Sequence, residues 1–346
     1  MKTVVLTSFF LLAISVSSMA QTSAAQTDSA AYYFKQGKAA KAAGRTASAY
    51  QYFEKSIHFK PATESLTEAG FAALELRKYE FARQHFEHAY NLNSNDTTAI
   101  SQLGQLFFLL RRWNDAIKWA EVMRQKQIGR YNYILGRSYY EQENYGESYK
   151  YFQAAMKDEP KNGEIPYLIG RSFVDMSNYK TAVQFFDQAL ALDTTKATWY
   201  YETGLTYFAI PDAKKAIEYI EKSISKGYKA SNDVMENLSN AYIEAGKPQK
   251  GIELLKQLLE KKPGDMELLW NIAEAHYKMG KYTEAIEYWD RIMYYDKKQA
   301  RALYMIGLSY QKKGDKQKGQ QLCDNAIAMD PSLQSLKRKK EIPSGL

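Results

Sequence analysis

The sequence predicts an all-α protein built as a solenoid of stacked helical hairpins. Three observations support this fold class: small residues at a regular spacing, apolar residues at helical spacing between them, and helix-breaking residues at regular places. The small residues recur at steps of 32 to 35 residues through most of the 346-residue chain. They are Gly37, Gly70, Gly104, Gly136, Gly170, Gly204, Ser239, Ala273 and Gly307. A fixed period of this length is typical of proteins in which each unit buries its apolar face against its neighbours.

Residues 1–20 differ from the rest of the chain and are predicted to be a secretory signal peptide. Lys2 gives a positive start, an apolar run covers residues 4–16, and small residues stand at Ser18 and Ala20. This pattern predicts cleavage after Ala20 and an exported protein, either periplasmic or secreted. The alternative is a membrane anchor, but a helical span needs about 20 apolar residues.

The mature chain is predicted to begin with a flexible linker over residues 21–29, because these residues are small and polar. Hairpin repeats are predicted over 30–333. In the clearest one, 266–299, apolar residues follow helical spacing up to Gly280 and resume that spacing at Tyr282. Since Pro cannot continue a helix, a proline is predicted to stop the second helix of four repeats, namely Pro61, Pro160, Pro263 and Pro331.

Several repeats carry the same residue types at the same positions. The first has Tyr33, Gly37, Ala40, Gly44, Ala49, Phe53, Ser56 and Pro61. The fourth has Leu135, Gly136, Tyr139, Phe152, Ala155 and Pro160, and the ninth has Ile306, Gly307, Tyr310, Gly314, Ala326 and Pro331. This pattern resembles the tetratricopeptide repeat (TPR). The resemblance implies a right-handed α-solenoid of about nine stacked TPR helix–turn–helix repeats, and a protein-binding scaffold that is not an enzyme.

The same resemblance implies that particular first-helix positions line a concave groove that binds a protein or peptide partner. Aromatic and arginine residues occupy these positions, and the predicted partner-binding residues are Tyr133, Arg137, Tyr140, Tyr167, Arg171, Tyr201 and Trp270. Arginine binds carboxylates in bidentate fashion, and tyrosine supplies contact area at low entropic cost. The alternative for these tyrosines is packing within their own repeat. A clamp for a C-terminal carboxylate is incomplete, because Glu236 stands where that clamp needs a lysine.

The chain carries a formal net charge of +8, and this excess is concentrated at its end. Residues 334–346 are predicted to form a basic C-terminal cap or tail that contains Lys337, Arg338, Lys339 and Lys340. These residues could contact an anionic envelope surface or simply face solvent. Nucleic acid is not an expected partner of an exported protein. A glycan- or polysaccharide-associated accessory factor, using groove aromatics and this tail, is the alternative function.

Catalytic, cofactor and metal motifs are not found in the sequence, so no catalytic residue, cofactor or metal is predicted. There is no nucleophile elbow, P-loop or paired zinc-binding Cys motif. His85 and His88 are three residues apart, but a metal site needs three or four ligands. Cys323, the single cysteine of the chain, is predicted to be a buried core residue.

Overall fold

The computed structural model of the chain describes residues 26–338, and every regular element in that range is helical. The all-α prediction is therefore confirmed. The helices are α1 (residues 26–42), α2 (Thr46–Phe59), α3 (Thr63–Glu75), α4 (Tyr79–Leu92), α5 (Thr97–Leu109), α6 (Trp113–Lys126), α7 (Tyr131–Glu141), α8 (Tyr145–Asp158), α9 (Glu164–Asp175), α10 (Tyr179–Leu192), α11 (Ala197–Ala209), α12 (Ala213–Ser225), α13 (Asn232–Glu244), α14 (Pro248–Lys261), α15 (Met266–Lys278), α16 (Tyr282–Tyr295), α17 (Ala300–Lys312), α18 (Lys316–Met329) and α19 (Gln334–Arg338). A short 3₁₀ turn, Pro331–Leu333, precedes α19.

Helices α1 to α18 pair in order into nine hairpins within the described residues, as the period predicted. Gly280 has a φ of +75° and lies between α15 and α16, where a left-handed residue lets the chain reverse direction. Pro263 and Pro331 follow the ends of α14 and α18, which confirms that prolines lie just beyond second helices. The hairpins form two compact units, residues 26–168 and residues 169–338.

The predicted linker is partly wrong, because α1 already begins at residue 26. The first turns of α1 are held by the second helix of the same hairpin. Ser56 Oγ donates a hydrogen bond to the Ala30 carbonyl (2.8 Å), and Lys60 Nζ donates to Thr27 Oγ1 (3.3 Å). The predicted signal peptide and residues 21–25 lie outside the described residues, as do Lys339 and Lys340 of the tail.

The recurring glycines stand where the two helices of a hairpin come closest. A Cβ atom placed on Gly37 would lie 2.5 Å from the Phe53 ring, and one on Gly136 would lie 2.6 Å from the Phe152 ring. Both rings are fully buried. Real Cβ atoms essentially never approach that closely, so a residue larger than glycine at these positions would displace the large ring. The regular spacing of small residues in the sequence therefore marks the places where the two helices of each hairpin pack closely.

Between residues 26 and 338, no helix combines the length and apolar character needed to cross a membrane. The apolar surface is instead used between helices. The second helix of a hairpin packs on the first helix of the next, for example α4 on α5, α6 on α7, and α14 on α15.

Candidate functional site

A cavity of about 610 Å³ lies among the first helices of consecutive hairpins, α3, α5 and α7, with the beginning of α9 at one side. Aromatic, aliphatic and charged side chains line it together. They are Leu74, Gln102, Gln105, Leu106, Phe108, Leu109, Arg111, Trp113, Arg130, Tyr133, Ile134, Arg137, Glu141 and Glu164. Two predicted partner-binding residues, Tyr133 and Arg137, are among these. The cavity lies on the first-helix surface that the family resemblance implies.

Tyr133 forms part of the cavity wall but is only 8% exposed. Its ring packs edge-on against Phe108, with 6.0 Å between centroids, and the Arg130 guanidinium lies 4.3 Å from its ring centroid. Burial, together with the Glu164 carboxylate beside it, raises the pKa of Tyr133 well above its usual value. Tyr133 therefore stays protonated and supplies a rigid wall more than an open contact face.

Arg137 is half-buried and is paired within its own helix. Its guanidinium donates to the Glu141 carboxylate one turn further on, with nitrogen–oxygen distances of 2.6 and 2.8 Å. The same guanidinium lies 5.6 Å from the centroid of the Tyr140 ring. A guanidinium has five N–H donors, so pairing with Glu141 leaves donors that can reach a ligand. Tyr140 supports Arg137 from beside the cavity without lining it.

The other four predicted residues lie outside this cavity. Tyr167 is buried in α9, with 9% exposure. Arg171 Nε lies 3.9 Å from a carboxylate oxygen of Glu202. In the second unit, the Tyr201 hydroxyl accepts a hydrogen bond from Asn237 Nδ2 (2.8 Å), and its ring stacks on Tyr228 at 4.6 Å.

Trp270 is also in contact with its neighbours. Its indole nitrogen donates to Glu274 (3.2 Å), and the Arg301 guanidinium lies 4.5 Å from its ring. The aromatic residues predicted to bind a partner are therefore largely rings that already pack against other side chains. The reason is that a large side chain at these first-helix positions is long enough to contact the neighbouring helix.

Most of the cavity residues were not predicted by the sequence analysis, and three of them show why. Leu109 is 60% exposed at the end of α5, Trp113 begins α6, and Arg130 precedes α7. Arg130 pairs in bidentate fashion with Glu159, at 2.7 Å for both nitrogen–oxygen contacts. Since all three stand at or beyond helix ends, positions counted within the first helix could not have identified them.

No group of three or more His, Cys, Asp or Glu side chains is arranged to hold a metal ion in the part of the chain that the structure describes. His85 and His88 do not act together. His88 is exposed, whereas His85 is largely buried with Nε2 2.8 Å from Glu54 Oε1 and 3.3 Å from the Tyr50 hydroxyl. Cys323 is buried, as predicted.

Comparison with protein families gives matches along much of the repeat region. Models described as tetratricopeptide repeat match residues 167–231, 242–308 and 300–333. A model described as anaphase-promoting complex, cyclosome, subunit 3, matches residues 110–189. No curated protein matches the sequence.

Among solved structures, one supports the fold and others are similar over part of the chain. The C-terminal part of a TPR repeat-containing protein from Cytophaga hutchinsonii is similar over 66% of this chain and 95% of its own, with 21% identity and a TM-score of 0.50. YrrB, described as a TPR protein with an unusual peptide-binding site, is similar over 55% of this chain and 98% of its own (22% identity, TM-score 0.43). PilF of Pseudomonas aeruginosa is similar over 61% and 96% (19% identity, TM-score 0.41).

Proposed function

Because this chain is a tetratricopeptide repeat protein, we propose that it is a scaffold that binds a segment of a partner protein in the cavity formed by α3, α5 and α7. The fold in general serves protein–protein interaction and not catalysis. The observation that carries the proposal is one surface that combines an exposed aliphatic wall with arginine donors. Leu109 provides the first, and Arg111, Arg130 and Arg137 provide the second.

The lining predicts the chemistry of the bound segment. The lining holds three arginines and two acids, Glu141 and Glu164. Glu159 beside the lining pairs with Arg130, so the charges balance and the arginines offer their remaining N–H donors. Leu109 and Phe108 would contact an apolar side chain, and arginine donors would hold a nearby carboxylate. An extended peptide with apolar and acidic residues close together fits this surface. Because the rings of Tyr133 and Trp270 are already covered by Arg130 and Arg301, stacking on a sugar is less favoured.

A photo-crosslinking residue at position 109 tests the proposed function in intact cells. A defined polypeptide should be captured from position 109, and Arg137→Glu in the same chain should remove that product. Position 92 is the matched control, since Leu92 is also a half-exposed leucine at a helix end but does not line the cavity. The proposal is wrong if both positions capture the same products, or if Arg137→Glu leaves the product of position 109 unchanged.

The cellular location is a separate part of the proposal. We propose that the protein works in the cell envelope or outside it, on the pattern of Lys2, the apolar run and Ala20 in residues 1–20. Terminal sequencing of the protein purified from its host should give Gln21 as the first residue. An intact N-terminus in a cytosolic fraction would contradict export.

A further inference from the structure

A second cavity, of about 480 Å³, lies in the second unit. It is formed by one face of α14 and the end of α15. His276 is only 6% exposed and lines this cavity, yet neither of its ring nitrogens has a hydrogen-bond partner within residues 26–338. Buried polar groups are normally hydrogen-bonded, so this histidine needs an explanation.

The repeats themselves show what usually occupies this place. The ninth residue of a second helix is an acid in seven of the nine hairpins; the exceptions are Gln153 in α8 and Lys256 in α14. Asp187 of α10 is one of the acids. Its two carboxylate oxygens accept hydrogen bonds from the hydroxyls of Tyr207 (2.7 Å) and Tyr219 (2.5 Å) in the next hairpin.

Two other junctions keep part of this arrangement. Glu121 in α6 accepts a hydrogen bond from the Tyr151 hydroxyl of the next hairpin (2.9 Å). Glu221 in α12 accepts one from the Tyr242 hydroxyl. A carboxylate between neighbouring hairpins is therefore a repeated element of this solenoid.

The junction between α14 and the next hairpin differs from the Asp187 junction in two of the three residues that form it. His276 occupies the place of Tyr207, the eleventh residue of its helix, and Tyr288 occupies the place of Tyr219, the seventh. The two rings stack in both junctions, at 5.7 Å for His276 and Tyr288 and at 5.2 Å for Tyr207 and Tyr219. The carboxylate is replaced by Lys256, whose ammonium group lies 6.0 Å from the Tyr288 ring centroid.

We propose that this junction binds the carboxylate group of an external ligand, which takes the place that Asp187 fills elsewhere. Lys256 supplies the opposite charge, and His276 donates from a ring nitrogen. Tyr288 does not line the cavity, but its ring stacks on His276 and fixes the orientation of the imidazole. Charge-assisted hydrogen bonds of this kind are the strong ones. The cavity has room for more than a carboxylate, because ligand sites start at about 300 Å³. Ile252 and Met279 offer apolar contact to the rest of the ligand, and Gln249 and Gln257 offer polar contact. Glu253, Glu260 and Lys281 also line the cavity, so a bound carboxylate has to lie beside Lys256 and His276 and away from the two glutamates.

Titration of full-length mature protein carrying ¹³C-labelled histidine tests the site, because the chain has four histidines and only His276 lines this cavity. The probes are succinate, inorganic phosphate, tetra-alanine with a free C-terminal carboxylate, and the same peptide amidated. Saturable movement of the His276 ring signal with succinate alone identifies a small organic acid. Movement with the free-acid peptide but not the amide identifies a peptide C-terminus.

Two outcomes overturn the proposal. One is that none of the probes moves the His276 signal, and the other is that the amidated peptide or inorganic phosphate binds as well as the carboxylates do.

Two charge-reversal variants of α14 distinguish binding at this cavity from an effect of the overall charge of the protein. Lys256→Glu returns an internal carboxylate to the junction and should weaken succinate or free-acid peptide binding by about tenfold or more, since hydrogen bonds to charged groups contribute that much. Lys261→Glu makes the same charge change on the same helix outside the cavity, and should leave the affinity within about twofold, because exposed charges interact weakly. Equal loss in both variants means that only the overall charge matters, and the proposed site is then wrong.

Discussion

Two junctions between hairpins, equivalent by position, use opposite chemistry. At the first, Asp187 closes the space between α10 and α12 and satisfies both the Tyr207 and Tyr219 hydroxyls. At the second, Lys256 stands in the same place, and the His276 ring nitrogens have no hydrogen-bond partner among the described residues. The difference shows that one position in a repeat can either complete the packing of the solenoid or leave a polar cavity on its surface.

The largest expected effect comes from removing the internal carboxylate. Asp187→Ala leaves two phenol hydroxyls without their acceptor, one of them on the buried Tyr207, and should lower the free energy of unfolding by about 2–3 kcal/mol. Urea unfolding followed by circular dichroism measures this change. Glu287→Ala, at an exposed acid of α16, is the control and should change stability by less than about 0.5 kcal/mol. If both variants lose the same amount, the Asp187 network is not a stabilising element.

Introducing a carboxylate and a tyrosine at the second junction should give a smaller effect of opposite sign. Lys256→Glu combined with His276→Tyr recreates the Glu221–Tyr242 pair, and should raise the free energy of unfolding by about 1 kcal/mol, the usual net contribution of one hydrogen bond. Either substitution alone should gain less, because each supplies only one partner. A double variant that is less stable than the parent protein would show that the two junctions are not equivalent.

The smallest effect is a pH dependence that runs in opposite directions at the two junctions. Burial, followed by its charged neighbours Lys256 and Lys281, lowers the pKa of His276 below the ordinary 6.5. The unfolded chain therefore binds this proton more readily, and the free energy of unfolding decreases as pH falls below about 6.5. His276→Phe should reduce this acid slope in unfolding experiments between neutral pH and mild acid.

The loss of stability at alkaline pH depends on the junction that contains Asp187. Burial and this carboxylate raise the pKa of Tyr207 and Tyr219 above the ordinary 10.0. Their stabilising contribution is complete below pH 10 and is lost as pH rises toward the folded pKa values. Asp187→Ala should weaken this alkaline loss and leave the acid slope unchanged. A single variant that alters both slopes would mean that the two junctions are coupled.

Much of the fold could be predicted from the sequence, because packing constraints repeat along the chain. A glycine followed sixteen residues later by a phenylalanine occurs in several repeats, as in Gly136 and Phe152, and the structure places the ring against the glycine backbone. The candidate site was predicted less well. Counting positions identified Tyr133 and Arg137 in the cavity, but could not show that Tyr133 is buried or that Arg130 covers its ring.

Some of what was missed had a signal in the sequence. Arg137 and Glu141 are four residues apart on one helix, a spacing at which opposite charges usually pair. Lys256 also breaks a pattern that is visible in the printed sequence, namely acids at the ninth place of second helices. That pattern has a meaning only when the ninth place is known to face the next hairpin.

The sequence by itself determined the number of hairpins, the ends of many helices and the close crossing within each hairpin, because these depend on residues near one another in the chain. Tertiary structure decided which polar groups meet across hairpins. The Tyr219 hydroxyl and Asp187 are 32 residues apart, and the same register brings Lys256 to Tyr288. Whether such a pair forms a hydrogen bond or borders a cavity depends on side-chain length and charge at a contact between neighbouring hairpins.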